Sequence, residues 1–237
     1  MSPGAAMASS PGRLEAATLF THSAWCDNRG RLVIYGIYYA AALVAGAVVV
    51  SYLLSWPFAI PFYVLAAFCL YFFRDPERQA PVGPVAVSPA DGKVVAVKSG
   101  ESGKNRISIF LNVFDVHVNR TPIAGKIACV TYKKGQFLVA SKEDASHSNE
   151  QNIITVDGKF DGQTTRVVFT QIAGLIARRI ICYKRPGDLV EAGERVGLIK
   201  FGSRVDVFLG PEWEVAVRVG ERVAAGSSVI ARFRGVV

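Results

Sequence analysis

An uncharged stretch of 23 residues at positions 32–54 limits what this chain can fold into more than any other feature of its sequence. About 20 consecutive apolar residues are enough to cross a bilayer as a helix. A second uncharged stretch, residues 58–73, begins after only three residues; it is 16 residues long and contains Pro61. Together the two stretches predict a membrane-anchoring helical hairpin over residues 29–73, whose second arm either crosses the bilayer or re-enters it.

The charges that flank the hairpin indicate its orientation. Arg29 and Arg31 precede it, and Arg74 and Arg78 follow it. Because the cytoplasmic ends of membrane segments collect Lys and Arg, both ends are predicted to face the cytoplasm. Residues 1–28, rich in Ala, Ser and Gly, are predicted to be a flexible tail. A buried hairpin in a soluble protein is the competing interpretation, which the length of uncharged sequence disfavours.

The rest of the chain, residues 74–237, reads as a succession of short strands. Alternating runs with β-branched residues are separated by Gly, Asp and Asn at short intervals, and long amphipathic helices are missing from the pattern. This pattern is typical of a barrel or sandwich. We therefore predict a mainly β (α+β), barrel-sandwich-like domain that follows the hydrophobic hairpin.

A weak internal repeat supports this fold. Residues 187–196 and 220–229 share the outline G-[DE]-x-V-x-A-G, in which each glycine permits a turn between short strands. The outline resembles the hairpins of lipoyl and biotinyl carrier domains and of the barrel-sandwich hybrids in membrane-fusion adaptors. The lysine motifs to which those carriers attach their cofactors are absent from this sequence, so the repeat indicates a fold and not a carrier function.

The charge of the domain favours contact with a lipid surface. From Arg74 onward the sequence has 24 Lys and Arg against 17 Asp and Glu, a net charge of +7. A basic surface next to a membrane attracts anionic head groups, although a basic surface that is merely solvated fits equally well. No recognition-helix pattern, Arg-rich run or aromatic RNA-binding motif is present, so the sequence predicts no nucleic-acid partner.

The cysteines predict neither a metal site nor a disulfide framework. They are widely separated along the sequence and form no Cys-x-x-Cys or Cys/His cluster: Cys26, Cys69, Cys129 and Cys182. Reduced thiols in a protein that faces the cytoplasm are expected, and no metal is expected.

Three short segments contain the residues best suited to chemistry. His117 lies in FDVHVNRTP, Asp91 lies in the turn SPADGKV, and Gly202 precedes Ser203 in KFGSRVD. Each also has an ordinary structural interpretation, as a packed histidine, a hairpin turn, and a turn or bulge. A nucleophile elbow, a glycine-rich phosphate loop and a zinc-protease motif are absent, so ordinary hydrolases, nucleotide enzymes and zinc proteases receive no support.

The order of these segments carries a resemblance to a known family. FFRDPER after an apolar hairpin, then SPADGKV, FDVHVNRTP, HSNEQN and FGSRVDVF resemble the short bacterial type of phosphatidylserine decarboxylase proenzyme, over about residues 30–234. The resemblance implies an enzyme that converts phosphatidylserine to phosphatidylethanolamine and CO2. It also implies a phospholipid substrate and a catalytic domain on the cytoplasmic side of the inner membrane.

The resemblance further implies that the chain cuts itself between Gly202 and Ser203. The Ser203 hydroxyl would attack the Gly202 carbonyl, and β-elimination would then separate a β chain (1–202) from an α chain (203–237). Ser203 would become a covalent pyruvoyl group, the cofactor, which forms a Schiff base with the substrate amine. The two chains would remain together as a heterodimer, and a higher homo-oligomer stays open.

Residue roles follow from the same resemblance. His117 is implied as the base that activates Ser203, and Asp91 as the carboxylate that orients it. The longer bacterial enzymes have a second histidine where this sequence has Arg120, and their Leu-Gly-Ser-Thr cleavage motif has Thr where this sequence has Arg204. Arg120, Arg204 and Asn149 are predicted substrate-binding residues.

Two alternative functions stay open at this point. One is a decarboxylase of a related serine lipid such as archaetidylserine, since the head group alone does not determine the lipid tails. The other belongs to a different class, a noncatalytic adaptor or carrier domain tethered by the hairpin. The adaptor would stay one intact chain and would tolerate Ser203→Ala.

Overall fold

The computed structural model of the chain describes residues 28–100, 103–138, 145–174, 179–200 and 202–235. The predicted flexible tail, residues 1–28, lies outside this part apart from Asn28. Every residue predicted above to cut the chain or to bind substrate lies inside it.

Two antiparallel helices form the hairpin. Helix α1 (Asn28–Leu53) is followed by a 3₁₀ turn (Trp56–Ala59) and by helix α2 (Ile60–Phe72). Pro61 falls in the first turn of α2, where a missing N–H breaks no intrahelical hydrogen bond, so it begins the second helix and does not interrupt it. The segment Ile34–Leu53 is long and apolar enough to cross a membrane, with a mean hydropathy of 1.8.

The rest of the described chain contains one short helix, α3 (Ala145–Ser148), and fourteen strands. The strands are β1 (Val85–Val87), β2 (Gly92–Ser99), β3 (Asn105–Leu111), β4 (Val118–Arg120), β5 (Gly125–Lys133), β6 (Gln151–Phe160), β7 (Gln163–Ile172), β8 (Ile180–Cys182), β9 (Leu189–Val190), β10 (Arg195–Ile199), β11 (Ser203–Leu209), β12 (Trp213–Val215), β13 (Arg222–Val223) and β14 (Val229–Phe233).

Three antiparallel sheets are formed by the described strands. The largest has eight strands in the order β13-β2-β3-β11-β7-β6-β5-β9, and the two smaller sheets have the orders β1-β14-β12 and β4-β10-β8. The prediction of a mainly β fold that follows a hydrophobic helical hairpin is confirmed. The domain boundaries at residues 28/29 and 73/74 stay predictions.

Strand β11 occupies a central position because β3 pairs with one of its edges and β7 with the other. Val205, Val207 and Leu209 of this strand belong to the main hydrophobic core. Residues two apart on a strand point to the same face, so Ser203 at the start of β11 shares the core-facing side with them. The predicted cleavage site therefore lies at the start of a central strand of the largest sheet.

The two copies of the sequence repeat meet in space through their second glycines. Gly193 and Gly226 have φ values of +77° and +74°, which side chains rarely adopt. A Cβ added to Gly193 would lie 3.1 Å from the carbonyl oxygen of Gly226. Position 193 therefore requires glycine, both for the turn and because Gly226 approaches it closely.

A second, smaller hydrophobic cluster joins the hairpin to the β domain. Phe72 and Phe73, where α2 ends, pack against Val116, Val118 and Leu198. Arg74 strengthens the junction because its guanidinium donates to the carbonyl oxygen of Phe114 at 2.7 Å. The hairpin is thus docked beside the segment that carries His117.

Candidate active site

The predicted nucleophile is a buried hydroxyl at a glycine turn. Ser203 is 0% exposed, and its Oγ has no hydrogen-bond partner among the residues that the structure describes. The preceding Gly202 has a φ of +62°, a conformation that glycine adopts without steric cost. A buried polar atom without a partner costs about 1–3 kcal/mol, so such atoms are uncommon outside functional sites. The Ser203 hydroxyl is therefore available for reaction.

His117 contacts the residue directly before Ser203. The backbone N–H of Gly202 donates to His117 Nε2 at 3.1 Å, so Nε2 is the unprotonated ring nitrogen. The other nitrogen, Nδ1, then carries the proton and donates to the carbonyl oxygen of Asp115 at 2.9 Å. These two hydrogen bonds select one neutral tautomer, whose basic nitrogen lies at the Gly202–Ser203 turn.

Burial keeps this histidine neutral. The side chain of His117 is 0% exposed, and its ring stacks on Phe72 with the centroids 4.4 Å apart. Removal from water lowers the pKa of His117 from 6.5 to about 4, because the charged form loses its hydration; the hydrogen bond to the Asp115 carbonyl opposes this shift. At neutral pH the imidazole is therefore an unprotonated base.

Asp91 lies in a different set of contacts from the one the resemblance implies. Its carboxylate accepts a hydrogen bond from Arg78 at 2.8 Å and another from the backbone N–H of Ala225 at 2.7 Å. Both nitrogens of His117 are hydrogen-bonded to backbone groups, as described above. In this uncut chain the backbone carbonyl of Asp115 thus accepts the hydrogen bond that orients His117. Asp91 instead connects the segment that follows the hairpin to the segment after the cleavage site.

Arg120 is a buried structural cation. Its guanidinium donates to Asp75 at 3.0 Å, to the Pro76 carbonyl at 3.1 Å and to the Gly193 carbonyl at 3.0 Å. Asp75 has a fully buried side chain and also pairs with Arg195. These contacts hold the chain that leaves the hairpin against the β domain.

The other two predicted substrate-binding residues are also buried and hydrogen-bonded within the protein. Arg204 pairs with Asp206 at 2.6 Å and donates to Ser108 Oγ at 2.8 Å. The amide of Asn149 bonds the backbone of residue 138 in both directions and donates to the carbonyl oxygen of residue 173. A substrate-binding role for Arg120, Arg204 and Asn149 stays a prediction, and none of these contacts supports it.

A chain of buried amides ends in a donor without a partner among the described residues. Asn152 donates to Gln171 Oε1, and Gln171 Nε2 donates to Asn119 Oδ1, both at 2.8 Å. Gln171 lies opposite Val205 in the pairing of β7 with β11, so it shares the face on which Ser203 lies. The Nδ2 group of Asn119 has no hydrogen-bond partner in the described part of the chain. Asn119 Nδ2 and Ser203 Oγ are thus both buried polar atoms without a hydrogen-bond partner among the described residues.

Sequence reasoning missed several of these residues. Phe72, Asp75 and Arg78 belong to the FFRDPER segment, which entered the sequence argument as a membrane flank and as part of a family motif. A buried carboxylate needs cationic partners, and two arginines meet that need only after the chain has folded. Asn119 and Gln171 belong to different strands, and nothing in the local sequence pairs them.

The described residues form no cluster of three or more His, Cys, Asp or Glu side chains that could hold a metal ion. Of the seven predicted residues, the structure joins His117 to the Gly202–Ser203 turn.

Comparison with known proteins identifies the family. The family model described as phosphatidylserine decarboxylase matches residues 65–231. The phosphatidylserine decarboxylase proenzyme of Solibacter usitatus is 68% identical over 202 residues, which cover 85% of this chain and 97% of the relative. That of Magnetococcus marinus is 42% identical over 203 residues, covering 82% and 92%.

A third relative, the proenzyme of Syntrophus aciditrophicus, is 44% identical over 189 residues, which cover 76% of this chain and 85% of the relative. All three similarities span most of both chains. The region matched by the family model includes α2 from residue 65 onward, the His117 segment and the Gly202–Ser203 turn. This chain therefore belongs to the phosphatidylserine decarboxylase family.

Proposed function

We propose that this chain is a membrane-anchored proenzyme that cuts itself between Gly202 and Ser203 and then decarboxylates phosphatidylserine to phosphatidylethanolamine and CO2. The observation that carries the proposal is the pairing of a buried Ser203 hydroxyl without a partner among the described residues with the basic nitrogen of His117 at the adjoining turn. The family membership gives this pairing its reaction class.

Self-cleavage uses groups that the turn brings together. The Ser203 hydroxyl loses its proton to His117 Nε2, which exchanges its hydrogen bond from Gly202 N–H for one from the serine. The Ser203 oxygen adds to the Gly202 carbonyl carbon and the peptide C–N bond breaks, which leaves an ester and a free amine. Elimination then removes the Cα proton of Ser203 and breaks its Cβ–Oγ bond, which releases the Gly202 carboxylate and leaves a dehydroalanine at position 203.

The site fits the pyruvoyl group that the family name proenzyme implies. The dehydroalanine left at position 203 loses its nitrogen as ammonia when water adds, and a ketone remains. Ser203 is fully buried, and the open donor of Asn119 belongs to the amide chain that reaches the same interior face. When formed, the pyruvoyl supplies a carbonyl that binds the substrate amine and accepts the electron pair released with CO2.

The protein residues stabilise the developing negative charge and transfer protons. Asn119 Nδ2 donates to an oxygen that becomes negative, first on the Gly202 carbonyl during cleavage. After cleavage the β chain ends at Gly202, and movement of this end leaves His117 Nε2 able to hold the proton that the product carbon takes up. The neutral state of the buried imidazole suits both tasks.

The two chains produced by cleavage stay associated. The α chain begins with β11, which is hydrogen-bonded on both edges to β-chain strands, and it includes Ala225, which Asp91 holds. The hairpin keeps this heterodimer at the membrane, where the phospholipid substrate resides; the inner membrane with the site on its cytoplasmic side fits the flanking arginines. Separation would require the largest sheet to be taken apart.

Intact-mass spectrometry of the purified full chain tests the proposal. The wild type is expected to give fragments 1–202 and 203–237, the second with a carbonyl at its amino end that reacts with a hydrazine. Ser203→Ala should remain one chain, because no hydroxyl is left to attack. Release of labelled CO2 from carboxyl-labelled phosphatidylserine should accompany the cut form only.

The chain offers a matched control in a second glycine–serine turn, whose serine is half-buried. Gly226 has a φ of +74°, close to that of Gly202, and Ser227 follows it. The Ser227 hydroxyl is hydrogen-bonded to the Ala224 carbonyl. Ser227→Ala is therefore expected to be cut like wild type. A folded wild-type chain that stays intact would contradict the proposal and favour a tethered adaptor. Cutting in Ser203→Ala would contradict the assignment of Ser203 as the nucleophile.

A further inference from the structure

An apolar groove runs along the hairpin toward the β domain. It has a volume of about 520 Å³, a size typical of small-ligand sites. Its lining comes from both helices and, at one end, from the loop before the cleavage site: Tyr39, Ala42, Leu43, Leu65, Cys69, Phe73 and Lys200. Among the described residues of this lining, Lys200 alone is charged.

The ammonium of Lys200 lies among aromatic rings at the domain end of the groove. Its Nζ is 5.1 Å from the ring centroid of Tyr35, 5.6 Å from that of Tyr39 and 5.8 Å from that of Phe73. Cation–π contacts at this distance hold a cation without neutralising it. Among the described residues no carboxylate pairs with Lys200, so its positive charge is available to an anionic ligand.

The groove leads from the exposed hairpin to the candidate active site. Leu43 and Leu65 lie farthest from the β domain, whereas Phe73 lies at the domain end of α2. Lys200 precedes Ser203 by three residues, which places their Cα atoms within about 11 Å of each other. Phe73 faces the groove while its neighbour Phe72 packs on His117. One end of the groove thus adjoins the catalytic residues.

We propose that this groove binds one acyl chain of an anionic phospholipid and that Lys200 binds the phosphate of its head group. The apolar lining matches a hydrocarbon chain, and the single cation matches the phosphodiester at the end of that chain. In phosphatidylserine the phosphorus lies only a few bonds from the α-carbon that reacts, so a phosphate at Lys200 leaves the serine moiety within reach of position 203. The identification of this lipid as the substrate rests on the proposed function; the binding site itself does not.

Lipid binding to the uncut protein tests the site without catalysis. The Ser203→Ala full chain in detergent is exposed to dioleoylphosphatidylserine or to dioleoylglycerol, which has the same acyl chains but no phosphate, and bound lipid is counted by native mass spectrometry. Leu65→Trp fills the groove and is expected to lower the occupancy of both lipids by about five-fold or more. Val64→Trp is the matched control, because Val64 is exposed on the same helix outside the groove lining.

The positive charge of Lys200 is tested separately. Lys200→Gln is expected to lower the binding of phosphatidylserine about five-fold, the effect of one cation at an anionic lipid, and to change the binding of dioleoylglycerol, which has no phosphate, less. Lys200→Arg keeps the cation over the rings and should bind like the parent protein. A purely structural role for Lys200 would lower the melting temperature of Lys200→Gln and leave the ratio of the two lipids unchanged.

Equal loss of lipid in Leu65→Trp and Val64→Trp would overturn the inference. So would binding at the wild-type level in Leu65→Trp or in Lys200→Gln, or an unchanged ratio of the two lipids in Lys200→Gln. The kinetic arm uses the cut enzyme, in which Lys200→Gln should raise KM for phosphatidylserine with little change in kcat. A chain that binds lipid as expected but neither cuts itself nor releases CO2 would disprove the proposed function and leave the groove assignment standing.

Discussion

The ring of Phe72 stacks on the imidazole of His117, with the centroids 4.4 Å apart and the planes inclined by 36°. Phe72 is the last residue of helix α2, so the hydrophobic hairpin itself completes the burial of the candidate base. Burial is the main cause of the lowered pKa of His117. The docking of the hairpin and the protonation state of the base are therefore coupled.

Truncation of Phe72 should raise the pKa of His117 as well as destabilise the fold. Phe72→Ala opens a cavity beside the imidazole, which costs about 3–5 kcal/mol and admits water that solvates the charged ring. The His117 pKa, followed by NMR of the ring in the Ser203→Ala background, should rise from about 4 toward 6.5. Phe72→Leu, which keeps most of the volume, should shift it less. An unchanged pKa in Phe72→Ala would show that the hairpin does not control the base.

The buried His117 predicts a specific pH dependence of stability. The unfolded chain binds a proton at this residue below pH 6.5, whereas the folded chain does so only below about pH 4. Between these values the unfolded state binds more protons, so stability falls as the pH is lowered. The free energy of unfolding falls by about 3 kcal/mol over this pH range because of His117. Thermal unfolding of Ser203→Ala from pH 7 to pH 4 measures it.

The control for this pH dependence is His117→Gln in the same background, which lacks the titrating ring. Its stability should fall less over the same range, and the difference between the two curves isolates His117. Parallel curves would contradict the assignment. Self-cleavage of the wild type should likewise persist at pH 5, where a solvated imidazole would be mostly protonated.

Loss of the Asp91 carboxylate should leave an uncut precursor. Asp91 accepts a hydrogen bond from the backbone of Ala225, which joins the two future chains, and another from Arg78, which lies in the same future chain. Hydrogen bonds to a charged group contribute about 1.5–3 kcal/mol each, so Asp91→Ala also lowers stability. Arg78→Gln removes the ion pair but keeps the carboxylate. If cutting needs the carboxylate itself, Asp91→Ala should slow self-cleavage far more than Arg78→Gln does. Mass spectrometry over time measures both cleavage rates. Equal rates would assign Asp91 a structural role.

The buried carboxylate of Asp75 should be among the most sensitive positions for stability. It pairs with Arg120 and Arg195, and neither its own side chain nor that of Arg120 is more than 5% exposed. Asp75→Asn leaves two cations without a full counter-charge, a loss of about 3–5 kcal/mol. Glu77→Gln is the matched control, since Glu77 contacts the same Arg195 but is 56% exposed and contributes less than about 1 kcal/mol. Thermal unfolding of both variants compares them.

The open donor of Asn119 should matter for cleavage more than for folding. Removal of one donor to a developing oxyanion slows a reaction by about 10²–10³-fold, the decrease expected for Asn119→Ala. Asn152→Ala removes a hydrogen bond at the other end of the same amide chain and should cost a similar amount of stability, but it leaves the Nδ2 group of Asn119 in place. Single-turnover cleavage of freshly translated protein measures both rates. Equal slowing in the two variants would make Asn119 a structural residue.

Local patterns were sufficient for the parts of this protein that depend on neighbours in sequence. The uncharged stretches predicted the hairpin because bilayer thickness sets helix length, and the alternation of β-branched residues predicted a β-rich domain. The ordered motifs predicted the family, which the family model and the relatives confirm. They also predicted Ser203 and His117 as reacting groups, an assignment that stays a proposal.

The tertiary structure decided how distant residues meet. Arg120, Arg204 and Asn149 look in sequence like ligands for an anionic lipid, yet folding buries each among partners up to 96 residues away. A buried charge must be paired, and sequence patterns do not identify its partner. The same holds for the orientation of His117 by the Asp115 carbonyl, for the cover that Phe72 provides and for the amide chain to Asn119. The sequence by itself determined the chemical inventory and the element types, whereas burial and pairing across the fold determined which groups remain available to react.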